Sequence, residues 1–251
     1  MRILLVEDDP LAAQAITLAL KSCHAIVDQC DLGQDAVNIA KRYDYDVILV
    51  DLMLSDIDGY EVIKKIRSEK IITPIIILSG LTRTQSKIKG LNVGADDFIN
   101  KPFDKEELIA RLQAIVRRSK GYSEPHIKIG NLVINLQNQE VSVNGNIINL
   151  TLKEYLILEL MCLRKGIVVS KEAFLNNLYG GIDEPDLKII DVFICKIRKK
   201  MLLNNCPNII TTIWGRGYMI KDNIKDNKAS EVDSHKMLPV NDRSPECWAA
   251  G

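Results

Sequence analysis

Glu7, Asp8, Asp51, Ser79 and Lys101 have the types and spacing for phosphoryl chemistry. Glu7 and Asp8 follow the apolar run Ile3–Val6, and Asp51 follows Val47–Val50. Ser79 follows Pro74–Leu78, and Lys101 follows Asp97–Asn100. A carboxylate at the end of a buried strand is costly unless it has a partner. Several together repel, and one pair at ~4 Å in an effective dielectric of ~20 costs about 4 kcal/mol. A hard divalent cation relieves that repulsion. Carboxylates with waters and a backbone carbonyl suit Mg²⁺, which takes a phosphate oxygen to complete its octahedron. An ammonium and a hydroxyl beside them complete a set for phosphoryl transfer to Asp51.

A single Asp at a strand end is most often a helix cap, and "EDDP" alone reads as solvated charge before a helix. The conjunction at the ends of four strands is what points to a site. It requires a parallel sheet, because function in such sheets gathers at the carboxyl ends of strands. The apolar runs are short, β-branched and continuous, as in a sheet covered on both faces. Ala25–Asp28 and Asp97–Asn100 complete five strands. Helical stretches at Leu11–Ser22, Gln34–Arg42, Tyr60–Glu69, Thr84–Val93 and Lys105–Arg118 alternate with them. The expectation is an α/β domain over residues 1–119, with a five-stranded, doubly wound parallel sheet.

Gly, Ser and Pro in "KGYSEPHIK" mark a linker, 120–126. Residues 127–221 have a different pattern. Short strands fill 127–150, with a tight Asn-Gly turn in "VNGN". Thr151 and Glu154 form a capping box for a helix running to Arg164. Ser170 caps a second helix, Lys171–Leu178, ended by Gly180-Gly181. Pro185 suits the first turn of a third, running to about Met201. A hairpin over 209–220 turns at Gly215-Arg216-Gly217. Strands, three helices and a hairpin describe a winged helix-turn-helix domain. On the third helix Leu187, Ile190, Ile194, Ile197 and Met201 form a buried face. Lys188, Ile189, Val192, Lys196, Arg198, Lys199 and Lys200 suit a helix in the major groove of double-stranded DNA. The cations would meet phosphates, and the short apolar side chains thymine methyls. Arg216 at the hairpin turn would enter the adjacent minor groove.

The 251 residues are 47% hydrophobic and 26% charged, as expected of two soluble globular domains. No apolar run approaches the ~20 residues of a membrane span, and the first is too short for a signal peptide. The chain is therefore expected in the cytoplasm, with no membrane partner. Six cysteines without a Cys-x-x-Cys pair, and three histidines, argue for reduced thiols rather than a zinc site. Residues 1–120 carry 17 Lys and Arg against 18 Asp and Glu; residues 126–222 carry 12 against 9. That small asymmetry favours an anionic partner for the second half. Residues 222–251, rich in Asp, Asn, Lys and Ser, read as a disordered tail.

"LLVEDD", "LVDLMLSDIDGYE", "IIILSG", "GADDFINKPF" and "ELIARL", in this order, resemble the receiver domain of two-component response regulators. "LTLKEYLILELM", "FLNNLYGG" and "TIWGRGY" resemble the effector domain of the OmpR/PhoB type. The resemblance implies Asp51 as phosphoacceptor and Glu7 and Asp8 as an acidic pocket. It implies Mg²⁺ held by Asp8, Asp51 and the carbonyl of Met53. Lys101, before a cis proline, would pair with the phosphoryl group. Ser79 would be the switch hydroxyl and Phe98 the switch aromatic, turning inward on phosphorylation. Many relatives carry Tyr at the latter position, and Phe98 lacks its hydroxyl. The implied homodimer surface includes Lys87, Asp96, Asp97, Glu107, Arg111 and Arg118, with Lys87 meeting Glu107 and Asp97 meeting Arg111 across a twofold axis.

A narrower resemblance, in "LRKG", "FLNNLYGGIDEPDLKIIDVFICKIRKK" and "WGRGY", is to an alphaproteobacterial cell-cycle regulator of this type. It implies control of replication and division genes and input from a histidine kinase or histidine phosphotransfer protein. RNA polymerase and AT-rich paired half-sites are the other implied partners. Two alternatives share parts of this reading. One is a regulator of the same architecture serving another stimulus. The other is an aspartate-nucleophile phosphatase, which typically needs an acid two residues after the nucleophile, where Met53 stands. The expectation is no enzymatic turnover.

Overall fold

A computed structural model describes residues 1–180 and 184–221. The tail 222–251 and Gly181 lie outside the described residues. The first half alternates strand and helix: β1 (Arg2–Val6), α1 (Pro10–Lys21), β2 (Ile26–Cys30), α2 (Gly33–Arg42), β3 (Val47–Asp51), α3 (Gly59–Ser68), β4 (Ile75–Ser79), α4 (Thr84–Asn92), β5 (Asp97–Asn100) and α5 (Lys105–Ser119). The strands form one parallel sheet in the order β2-β1-β3-β4-β5. Ile3–Val6, Val47–Val50 and Ile75–Leu78 are all buried, because helices cover both faces. One face packs on α2 and α3 through Ile48, Val50, Val62, Ile63 and Ile66; the other packs on α1 and α5 through Leu49, Ile16, Leu108 and Leu112.

Aspartates set several helix starts at the carboxyl end of the sheet. Asp9 accepts the Leu11 N–H, Asp58 that of Tyr60, and Asp104 those of Glu106 and Glu107. Asp56 caps α2 from a distance, accepting the Gly33 and Gln34 N–H groups at 2.9 Å each. Each satisfies donors that the helix leaves unpaired. Gly59 lets the start of α3 press onto β3: a Cβ there would lie 2.2 Å from the Asp51 carbonyl oxygen.

The second half begins at His126, earlier than the linker boundary, because His126 pairs with Asn135. β6 (His126–Ile129), β7 (Leu132–Asn135), β8 (Glu140–Val143) and β9 (Asn146–Ile147) form an antiparallel sheet. Asn144 and Gly145, both at positive φ, make the β8–β9 turn. α6 (Leu152–Leu163), α7 (Lys171–Tyr179), α8 (Lys188–Leu203), β10 (Ile210–Ile213) and β11 (Gly217–Ile220) follow. The capping box at Thr151 and Glu154 is present, and Gly180 ends α7 in the left-handed conformation.

α8 departs from expectation at its start. It begins at Lys188, three residues after Pro185, because the Asp186 carboxylate accepts the Lys188 N–H and sets the boundary there. Leu187 therefore stands outside the helix and is exposed, whereas Ile190, Ile194, Ile197 and Met201 are buried. The hairpin turn is Trp214-Gly215-Arg216, since Gly217 already pairs with Ile213.

Candidate functional site

The strand registers assemble the acidic site. Val6 lies opposite Val50, so Glu7 and Asp8 follow beside Asp51. Asp51 lies opposite Leu78, one residue before Ser79, and Ser79 lies opposite Asn100, one residue before Lys101. Four neighbouring strand ends thus contribute to one rim. The Lys101 ammonium bridges the two buried carboxylates, at 2.5 Å from Glu7 Oε2 and 2.7 Å from Asp51 Oδ2. The other Asp51 oxygen, Oδ1, accepts the Met53 N–H at 3.2 Å. Ser79 is fully buried, and its Oγ accepts the Leu81 N–H. Asp8 is half-buried at the same rim, and the Lys101-Pro102 peptide is cis.

The electrostatics fit a site short of positive charge. Burial pushes the Glu7 carboxyl up, and nearby Asp51 adds to this, although Lys101 opposes it. Burial disfavours the Lys101 ammonium, but its bonds to Asp51 and Glu7 outweigh that and raise it. One ammonium serves two carboxylates, with Asp8 beside them. Among the described residues no three His, Cys, Asp or Glu side chains converge as a metal cage. Two carboxylates, Asp8 and Asp51, with a backbone carbonyl and water are the hard-oxygen donor set that Mg²⁺ accepts, and the residues present fit it.

Phe98 is already inside, packed in the core with Ile77 and Tyr60, and the Lys87 ammonium lies 5.9 Å from its ring centroid. This corrects the expectation of an outward ring that turns in. Without a hydroxyl, Phe98 has no group to keep near water.

The implied dimer residues divide. Arg111 bonds its own Asp97 and Glu107, at 2.9 and 2.8 Å. Any pairing across two chains would exchange these bonds. Asp96 is exposed, and its Oδ2 accepts both the Ile75 N–H and the Arg67 guanidinium, which ties it to β4 and α3. Arg118 is exposed.

On α8 the exposed face carries Lys188, Val192, Cys195, Lys196 and Lys199. Three residues expected on it belong elsewhere. Ile189 is partly buried against the domain core. Arg198 donates from Nη2 to the Ile210 carbonyl and Thr212 Oγ1 of β10. Lys200 bonds the Asn149 carbonyl and the buried Glu154 carboxylate, at 2.9 and 2.7 Å. Arg216 is exposed at the hairpin turn. Sequence reasoning missed Trp214, 90% exposed beside it. Its signal was an aromatic residue directly before a Gly-x-Gly turn.

Lys200 gives the first expected result. Burial raises the Glu154 carboxyl, but the bonds from Lys200 and Thr151 outweigh it and hold it below the usual range. A depressed carboxyl contributes stability that is complete above its unfolded pKa and lost as pH falls through the folded one. Lys200→Met should destabilise the second domain by about 1–2 kcal/mol near neutral pH. It should also flatten the loss of stability below about pH 4.5. Thermal melting against pH checks this. An unchanged melting temperature would mean that Lys200 faces solvent.

Comparison with known proteins agrees with both halves. The family described as "Response regulator receiver domain" matches residues 3–113, and "Transcriptional regulatory protein, C terminal" matches residues 145–220. The chain is 53% identical over 223 residues to the "Cell cycle response regulator CtrA" of Brucella anthropi, covering 88% of this chain and 96% of that protein. The CtrA of Brucella abortus matches equally, at 53% over 223 residues. The chain belongs to the OmpR/PhoB-type response regulators. Among solved structures it is similar to the response regulator DrrB, a Thermotoga maritima OmpR/PhoB homologue, at 31% identity with a TM-score of 0.43 over 88% of this chain and 98% of that one. As a response regulator of this type it joins a receiver to a winged DNA-binding domain, and its function is transcription regulation. Among the described residues no helix is long and apolar enough to cross a membrane.

Proposed function

We propose that Asp51 takes a phosphoryl group from a histidine phosphotransfer protein or histidine kinase. An Asp51 carboxylate oxygen attacks phosphorus, the P–N bond of the donor phosphohistidine breaks, and the imidazole leaves. Asp8, Asp51 and the Met53 carbonyl would hold Mg²⁺, which would supply positive charge beside the transferring oxygens. Lys101, freed from Asp51 Oδ2, follows the phosphoryl group, and Glu7 keeps its other bond. Ser79 turns its hydroxyl to a phosphoryl oxygen. The observation that carries this reading is the single ammonium shared by Glu7 and Asp51 at the ends of adjacent strands. Met53, standing where a phosphatase would need an acid, favours a stoichiometric acceptor over a turnover enzyme.

Phosphorylation favours a homodimer through α4, β5 and α5, with Lys87, Asp97, Glu107, Arg111 and Arg118 at its rim. Paired winged helices then bind AT-rich half-sites about one helical turn apart. Lys188, Val192, Lys196 and Lys199 face the major groove, Arg216 the minor groove, and bound dimers engage RNA polymerase. The proposed setting is the cytoplasm, and the genes are those of the cell cycle, as the relatives' name suggests.

Lys196→Ala tests the groove assignment. Each neutralised phosphate contributes about −0.9 to the slope of log K against log salt, so that slope should become shallower by about 0.9. Lys200→Met should leave the slope unchanged. Wild-type affinity and slope for Lys196→Ala would refute the assignment of this face.

A further inference from the structure

One carboxylate ties the hairpin to α8. Asp191 sits in the first turn of that helix, whose exposed face is otherwise basic. Its Oδ2 accepts the Lys171 ammonium, from the first turn of α7, at 2.7 Å, and its Oδ1 accepts the Tyr218 hydroxyl of β11. Burial opposes ionisation of Asp191, but these two bonds outweigh it and hold the carboxyl below its usual range. Burial and the bond to Asp191 push the Tyr218 phenol up to about 12.

Two turns further along α8, Arg198 holds β10 through Ile210 and Thr212. The root of the hairpin is thus fixed to α8 through both strands. A carboxylate on a helix that approaches phosphates would repel them. Here each Asp191 oxygen has a donor within the domain. The arrangement borders a groove of about 500 Å³ between α7, α8 and the hairpin, and Trp214 and Arg216 stand at its rim.

We propose that Asp191, with Lys171 and Tyr218, is a positioning residue that sets the tilt and spacing between α8 and the hairpin turn. Major-groove and minor-groove contacts then fall in one register along the duplex. This rests on the DNA-binding reading above. Without the clamp, α8 still docks, but the hairpin loses its fixed place, and the base pairs beneath it cease to matter. The distinction lost is A·T against G·C, which is what the minor groove offers.

The test uses the full chain. Binding duplexes are selected with the wild-type protein from a random pool. A·T pairs are then changed to G·C either under the hairpin or under α8. The wild type should discriminate at both places, by on the order of tenfold for each pair. Asp191→Asn and Tyr218→Phe should lose discrimination under the hairpin and keep it under α8. Asp191→Glu, which retains the carboxylate, should restore part of it. Tyr218→Phe removes a single oxygen and serves where Asp191→Asn folds poorly. Wild-type discrimination in both variants, or equal loss at both places, overturns the clamp. A wild-type protein that selects no duplex overturns the DNA-binding reading as well. Selection by the wild type with no effect of either variant sinks the clamp alone.

Discussion

Asp51→Asn is expected to abolish uptake of a phosphoryl group from acetyl phosphate with Mg²⁺. The amide oxygen is a poor nucleophile, and three other carboxylates stand near it. Asp8, in the proposed site, would be taken up by Mg²⁺. Glu7 is buried and bonded to Lys101, and Asp9 is occupied as the cap of α1. The introduced amide can still accept a hydrogen bond from Lys101, so the fold should persist. One of two acids sharing one ammonium would be gone, and the upward push on Glu7 from Asp51 would go with it. A raised carboxyl favours the folded state at low pH and loses that contribution as pH rises through its folded value. The variant should therefore show a shallower decline of stability above about pH 4.5 than the wild type. Phosphodonor should strengthen wild-type DNA binding within the roughly 5–150-fold range of coupled sites, and should leave the variant unchanged. Radiolabel retained on Asp51→Asn would mean that another group accepts the phosphoryl.

The receiver half was legible because its signals are local. β-branched runs with no polar interruption, such as Val47–Val50, can only be central strands, and an acid ending such a run is conspicuous. Which acids are caps was not legible. Asp9, Asp56 and Asp58 look like Asp8 and Asp51 in the sequence. Only folding shows the first three capping helices, and Asp51 sharing the Lys101 ammonium with Glu7. α8 shows the limit more sharply. Helical spacing separates Ile190, Ile194 and Ile197 from the rest, but it does not say what waits opposite a lysine. Lys196 and Lys200 are one turn apart and have the same charge. Lys200 meets a buried carboxylate 46 residues earlier in the chain, a contact no periodicity encodes. Arg198 is claimed in the same way by a strand that follows it. Asp96 is a surface charge, but its partner Arg67 lies 29 residues before it, which no local pattern shows.

Gly217→Ala should have the largest effect on the second domain. Gly217 has a φ of 133°, outside the range an alanine adopts without strain. A Cβ there would lie 2.1 Å from the Val169 carbonyl oxygen and 2.9 Å from the Cα of Ser170, both backbone atoms. Neither can give way by rotating a side chain. The strand β11 would have to move off Val169, breaking the reciprocal Val169–Tyr218 bonds of 2.8 and 3.0 Å. Ser170, the cap of α7, would be displaced with them. Strain and two lost backbone bonds together should cost about 3 kcal/mol or more, a large part of the roughly 5–15 kcal/mol that holds a typical domain. Gly215→Ala is the control. Its φ is also positive, at 71°, but nothing lies within 4 Å of its Cβ position, so its cost should stay near about 1 kcal/mol. Thermal melting of the two variants, with phosphoryl uptake followed in parallel, separates the domains. Gly217→Ala should lose DNA binding and still accept phosphate on Asp51. Equal melting temperatures for the two variants would show that β11 can leave Val169 at little cost, and that the hairpin is not held where the structure draws it.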